Sequence, residues 1–232
     1  MTNASTDGGF AVVEMFTSQG CNSCPPAEEL LSEIERDARA HGQNVFALGF
    51  HVDYWDDLGW PDQFANPAYT ARQEAYARAF GTRGLYTPQM VVNGTDEFVG
   101  SDRRRAASTI MSATASTATA TPLALSIADL GGDRVVVDYR TERPPGRAVL
   151  NVAVVERGLV SEIARGENAG RTLRQDNVVR AFGTVGLDAE QGQVELATPS
   201  GFDPRNASVV GYVQENGERA IVGATAVELP TE

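Results

Sequence analysis

Phe16-Thr17-Ser18-Gln19-Gly20-Cys21-Asn22-Ser23-Cys24-Pro25-Pro26-Ala27 decides how this chain is read. The stretch holds the only two cysteines of the protein, in C-x-x-C spacing. Upstream, Phe10–Phe16 is an apolar run interrupted only by Glu14, the pattern of a buried strand. Downstream, Ala27–Ala40 sets Leu30, Leu31, Ile34 and Ala38 at helical spacing, with acidic residues in the first turn where the helix dipole favours them. Pro25 and Pro26 suit that first turn, because proline's missing N–H costs nothing there. The spacing lets the sulfurs bond across one tight turn, and the helix N-terminus beside them stabilises a thiolate. Cys21 is therefore expected to be the more exposed, attacking sulfur and Cys24 the shielded, resolving one. The plainer reading of the same pair is a structural disulfide.

Working outward, strands and helices alternate. Val45–Val52 is long and apolar enough for a central parallel strand. Pro67–Phe80 is expected to be helical, opened by Pro67 and closed by Gly81. Met90–Val92, the turn Asn93-Gly94 and Glu97–Val99 read as a hairpin. A third helix is expected from Asp102 to about Ala115. The small, polar run Ser112–Pro122 then marks a change of composition, read as a frayed helix end or a linker. Beyond it the pattern is strands only: Leu123–Ile127, Arg134–Arg140, Ala148–Val155, Gln193–Ala197, Ser208–Gln214 and Ala220–Glu228. Turn signals separate them at Gly131-Gly132, Pro144–Gly146 and Asn216-Gly217. The expected organisation is thus an α/β domain over residues 1–117 and an all-β, sandwich-like domain over residues 118–232.

Composition removes whole classes of function. Of 232 residues, 19 are basic and 31 acidic, a formal net charge of −12, and every basic residue is arginine. Without lysine there is no Schiff-base, Walker or kinase lysine. The negative field makes nucleic acid and anionic membrane surfaces poor partners. No run of about 18 apolar residues could span a membrane, and Met1–Gly9 has no apolar signal core. Gly-rich segments lack the strand–G-x-G-x-x-G–helix context, so no nucleotide, flavin or other cofactor is expected.

At this level the first half resembles the thioredoxin superfamily in order: strand, C-x-x-C, helix, strand, helix, Thr87-Pro88, hairpin, helix. It is more similar still to a bacterial thioredoxin-like family of largely uncharacterised, often exported proteins. The shared motifs are FTSQGC-x-x-CPPA (Phe16–Ala27), HVDYWD-x-LGW (His51–Trp60), YTPQ-x-VVNG (Tyr86–Gly94), GEN-x-GRTL (Gly166–Leu173) and NVVR (Asn177–Arg180). The resemblance implies a thioredoxin-like domain followed by a β-rich one. It also implies a cis Thr87-Pro88 bond facing the cysteines and a periplasmic or secreted location, with the cytoplasm as the alternative.

Three functions compete on these residues. The first is a thiol–disulfide oxidoreductase using Cys21 and Cys24, with Thr87 and Pro88 beside them, on a protein or small-molecule thiol or disulfide. The second is a Cu(I)-binding module in which Cys21, Cys24 and His51 are the ligands. The third is a binding protein whose disulfide is only structural. His51 and Asp53 close the second strand and are read either as proton carriers or as packed, capped residues. The long loop Asp53–Asn66 either walls a substrate groove or covers the core. The polar, Arg-bearing stretch Gly166–Arg180 is read two ways: as a contact with the cysteine site or as a turn between strands. No oligomeric state is read from the sequence.

Overall fold

The computed structural model describes residues 8–141, 148–216 and 219–230. The expected turn at Pro144–Gly146 lies outside the described residues, as do Gly217 of the Asn216-Gly217 turn and most of the Met1–Gly9 segment.

The first half runs β1 (Ala11–Thr17), α1 (Pro25–His41), β2 (Val45–His51), α2 (Pro67–Phe80), β3 (Gln89–Val92), β4 (Asp96–Val99) and α3 (Arg103–Thr114). A single 3-10 turn, Asp56–Leu58, interrupts the long loop after β2. The second half runs β5 (Leu123–Gly131), β6 (Arg134–Thr141), β7 (Ala148–Glu156), β8 (Leu159–Glu162), β9 (Thr172–Gln175), β10 (Val178–Gly186), β11 (Gln191–Ala197), β12 (Ala207–Glu215) and β13 (Ile221–Glu228). Helix α1 begins directly after Cys24 and stops at Gly42, whose φ of 61° is the left-handed conformation that glycine adopts freely. Asn66 caps α2 by accepting from the Ala68 amide, and Asp102 caps α3 by accepting from the Arg105 amide.

The fold is mixed α/β, with one large sheet and smaller antiparallel ones. Eight strands form the large sheet in the order β13-β12-β7-β10-β2-β1-β3-β4, and β11-β6-β5 and β8-β9 form the others. Strand β1 is parallel to β2 and antiparallel to β3. The two halves meet where β10 runs parallel to β2, at the Val178–Gly49 pair, with the Gly49 amide donating to the Asn177 carbonyl at 2.7 Å. Glycine fits this junction closely, because a Cβ on residue 49 would lie a tight 3.3 Å from that carbonyl oxygen.

Alternation along the strands builds the cores. Ala11, Val13 and Met15 of β1 pack with Leu30 and Leu31 of α1 and Ala106 of α3. Val12 and Phe16 face the other way, onto Tyr69 and Tyr76 of α2 and onto Val179, Val210 and Tyr212 of the second half. Leu150, Val152 and Val154 of β7 turn from that core into a second one with Leu125, Val135, Val137, Val194 and Leu196. Residues on both sides of 117–122 therefore share a sheet and a core.

Candidate functional site

Strand β1 ends at Thr17, and the chain turns through Ser18–Gly20 to the cysteines. The Ser18 hydroxyl accepts from the Gly20 amide at 3.0 Å. Cys24 is the residue before the first helical turn, and its carbonyl accepts from the amides of Ala27 and Glu28. Cys21 and Cys24 are joined by a disulfide, with their α-carbons 5.5 Å apart. The Ser23 hydroxyl lies 3.3 Å from the Cys21 sulfur.

The expectation that Cys21 is the exposed sulfur does not hold: both cysteines have 0% exposure. Residues distant in sequence meet the cysteine turn. The β8–β9 hairpin carries the turn Gly166–Gly170 onto the C-x-x-C loop. There the Asn168 side-chain amide donates to the carbonyls of Gln19 at 2.9 Å and Cys21 at 3.0 Å. A Glu167 carboxylate oxygen accepts from the Asn22 amide at 3.1 Å. Of the two readings of Gly166–Arg180, its first residues thus touch the cysteine turn. The remainder includes β9, the Asn177 bend with φ of 57°, and the start of β10.

The Thr87-Pro88 bond is cis. Trp55 links it to the cysteine turn. The Trp55 indole N–H donates to the Thr87 hydroxyl at 2.9 Å, while its Cβ lies 3.1 Å from where a Cβ on Gly20 would sit.

Beneath the turn lies a buried polar cluster. His51 Nδ1 and Asp62 Oδ2 are 2.7 Å apart, and the same carboxylate accepts from the Gln19 amide at 2.8 Å. Gln19 is fully buried; its side-chain amide donates to Ser161 and Gln175, and its carbonyl oxygen accepts from Trp60. Glu28 accepts from the Thr17 hydroxyl at 2.7 Å and from the Gln175 amide at 3.3 Å. Burial pushes the Glu28 carboxyl up, against the opposing charge of His51 and the Thr17 hydrogen bond. His51 is thus engaged by Asp62, and no group of three or more His, Cys, Asp or Glu side chains forms a metal-ligand set among the described residues. Sequence reasoning singled out Cys21, Cys24, Thr87, Pro88, His51 and Asp53, of which Asp53 accepts from the Thr70 hydroxyl of α2. It missed Gln19, Glu28, Asp62, Asn168 and Gln175, although Gln19 and Asn168 fall inside the quoted motifs.

The His51–Asp62 pair has a pH signature. Burial alone would raise the Asp62 carboxyl, but the charge and hydrogen bond of His51, with the amides of Gln19 and Phe64, hold it below its ordinary value. Burial alone would lower His51, but Asp62 and then Glu28 raise it, against Arg180. A depressed Asp stabilises the fold above its unfolded pKa and loses that as pH falls through the folded one. A raised His stabilises below its unfolded pKa and loses that as pH rises through the folded one. The pair contributes fully between about pH 4 and about pH 6.5. Glu28, raised, adds a further loss of stability as pH climbs above its unfolded value, and Glu28→Gln isolates that part. Urea titrations of His51→Gln are expected to show a shallower fall in unfolding free energy between about pH 6 and about pH 9 than the native chain. Parallel pH curves would show that folding leaves the titration of His51 unchanged, against the raised pKa.

The fold and the site define a mixed α/β protein that holds a C-x-x-C disulfide at a helix N-terminus, above a buried acid–imidazole cluster. The chain belongs to the family described as Protein of unknown function (DUF1223), which matches residues 12–214. It is similar to the crystal structure of a protein from Agrobacterium tumefaciens, with 31% identity over 97% of each chain and a TM-score of 0.70. A β-glucuronidase of Bacteroides uniformis aligns with 45% of this chain and 12% of its own at 11% identity and a TM-score of 0.23, which carries no argument. No curated protein matches the chain.

Proposed function

We infer that this protein is a thiol–disulfide oxidoreductase working through Cys21 and Cys24, and that its first half is thioredoxin-like. The observation that carries the reading is the disulfide across a C-x-x-C turn at the start of α1. Support for the fold comes from the element order and from the strand order β2-β1-β3-β4, with the cysteine turn between β1 and α1. The Trp55 indole bond to Thr87, with Trp55 also packed against Gly20 of the cysteine turn, supports the reading.

In the oxidised form a substrate thiolate attacks the Cys21 sulfur, the Cys21–Cys24 bond breaks, and Cys24 leaves as a thiolate that takes up a proton. A second substrate thiolate attacks the substrate sulfur of the mixed disulfide and releases Cys21. The substrate loses two electrons and two protons as its disulfide forms, and the cysteine pair gains them; substrate disulfides run the same steps backwards. The α1 dipole favours the thiolate at each stage. The substrate is a protein or small-molecule thiol or disulfide, and an oxidising compartment, periplasmic or extracellular, suits an oxidised resting pair.

One observation favours a second reading, a purely structural disulfide: neither cysteine is exposed. The reduction potential, read by equilibrating the folded protein against glutathione buffers, separates the two. The oxidoreductase reading expects a value between about −270 and about −120 mV; a structural disulfide lies below about −300 mV.

A further inference from the structure

The Gly166–Gly170 turn has no part in the exchange steps, yet it is built against them. Its base is clamped by the Gly170 amide donating to the Ile163 carbonyl at 2.7 Å and the Ile163 amide donating to that of Arg171 at 2.9 Å. Gly166 and Gly170 both have φ of +78°. At Gly166 a Cβ would meet that of Trp60 at 3.0 Å, so the turn sits tight on the loop after β2. Asn168 is 1% exposed, and its side-chain oxygen, also buried, has no hydrogen-bond partner.

We propose that Glu167 and Asn168 occupy, in cis, a peptide-binding subsite on the backbone of residues 19–22, and that an extended polypeptide bearing the reacting thiol or disulfide must displace them to reach Cys21. The proposal rests on the exchange chemistry at Cys21. The subsite offers two carbonyls, those of Gln19 and Cys21, and one amide, that of Asn22. Asn168 fills the carbonyls with a carboxamide, the same functional group as a peptide bond, and Glu167 fills the amide with an oxygen acceptor. A peptide N–H can take one of the two carbonyls and a peptide C=O the Asn22 amide, so the cis occupant and an extended peptide compete for the same backbone groups. The bond from Asn22 to Glu167 is exposed to water, and the Asn168 oxygen gains partners on leaving, so the cis occupant is held less firmly than the packing around it suggests.

The test is the rate at which folded protein is reduced. A dithiothreitol thiolate attacks the Cys21 sulfur and Cys24 leaves; the second dithiothreitol thiol then closes its own ring and frees Cys21, so reagent is oxidised as the pair is reduced. Asn168→Ala is expected to be reduced about tenfold faster than the native chain, and Glu167→Ala about threefold faster with an unchanged melting temperature. In the native chain a cysteine-centred heptapeptide is expected to react about threefold faster per thiolate than glutathione, since it alone can take the vacated backbone groups. Native rates in both variants would overturn the proposal. So would a gain in Asn168→Ala fully accounted for by lost stability while Glu167→Ala is unchanged, and equal peptide and glutathione rates would remove the polypeptide assignment. The reduction potential reads the pair's equilibrium and these rates read its access, so the two readings fail separately.

Discussion

Replacing Arg72 by Met is expected to cost about 3–5 kcal/mol of stability, enough to lower the melting temperature by roughly 10 °C. Arg72 lies on α2 with its side chain 8% exposed, against Glu14 of β1 at 0%, and its Nε donates to Glu14 at 2.6 Å. The same carboxylate accepts from the hydroxyls of Tyr76 and Tyr212, and Gln214 joins Arg72 to Tyr76. The guanidinium sits over the rings of Phe50, Tyr76, Phe182 and Tyr212, at 5.1 to 5.7 Å from their centroids. Burial alone would lower the Arg72 pKa, but the charge of Glu14 raises it well above its ordinary value, so Arg72 stays a cation. Removing the cation leaves the buried Glu14 carboxyl without its ionic partner, and breaking a buried pair from one side is far costlier than the intact pair is beneficial. The network draws on α2 and β1 in the first half and on β10 and β12 in the second, so the loss should appear as one cooperative transition shifted down. Denaturant curves for Arg72→Met and for the Glu14→Gln/Arg72→Met double variant check this. The double variant should recover part of the loss, because the stranded carboxyl is gone. A change under about 1 kcal/mol in the single variant would mean that the pair is solvated in the folded protein.

Much of the first half was legible because local rules and tertiary packing agree there. The apolar run of β1, the proline-led starts of α1 and α2, the glycine stops and the Asn93-Gly94 hairpin each carry their own signal, and each element lies within a few residues of its expected place. In the second half the long strands β5, β6, β7, β12 and β13 were visible from alternation and β-branched content. Strands β8, β9 and β10 were not. Thr172–Gln175 alternates exposed and buried over only four residues, too short to stand out from a polar turn. Val178–Gly186 is broken by Arg180 and by two glycines, and it is a strand because β2 and β7 flank it.

The site divides in the same way. Cys21 and Cys24 announce themselves through their spacing, and Thr87 and Pro88 through the resemblance. Asn168 and Glu167 meet the cysteine turn across 147 and 145 residues of chain, and no local pattern encodes a contact of that range. Cys21 reads as exposed from its neighbours in sequence and is fully buried in the fold. The compositional change near 117–122 is real, but Gly49, Asn177 and the Glu14–Arg72 network carry hydrogen bonds and packing between the regions on its two sides.

The central claim is that Cys21 exchanges with substrate sulfur and that Cys24 resolves the product, and trapping the mixed disulfide tests it most directly. In Cys24→Ser the Cys21 thiolate attacks oxidised glutathione, one glutathione leaves as a thiolate, and no second protein thiol remains to expel the other. Intact-mass measurement of the folded variant is expected to show a stable single adduct mapped to Cys21. The reduced native protein under the same conditions should pass to its Cys21–Cys24 disulfide without accumulating one. Cys21→Ser should label more slowly by about tenfold or more, because Cys24 lies at the start of α1, within the turn. An equal or faster adduct at Cys24, or folded variants that label only once denatured, would contradict the account.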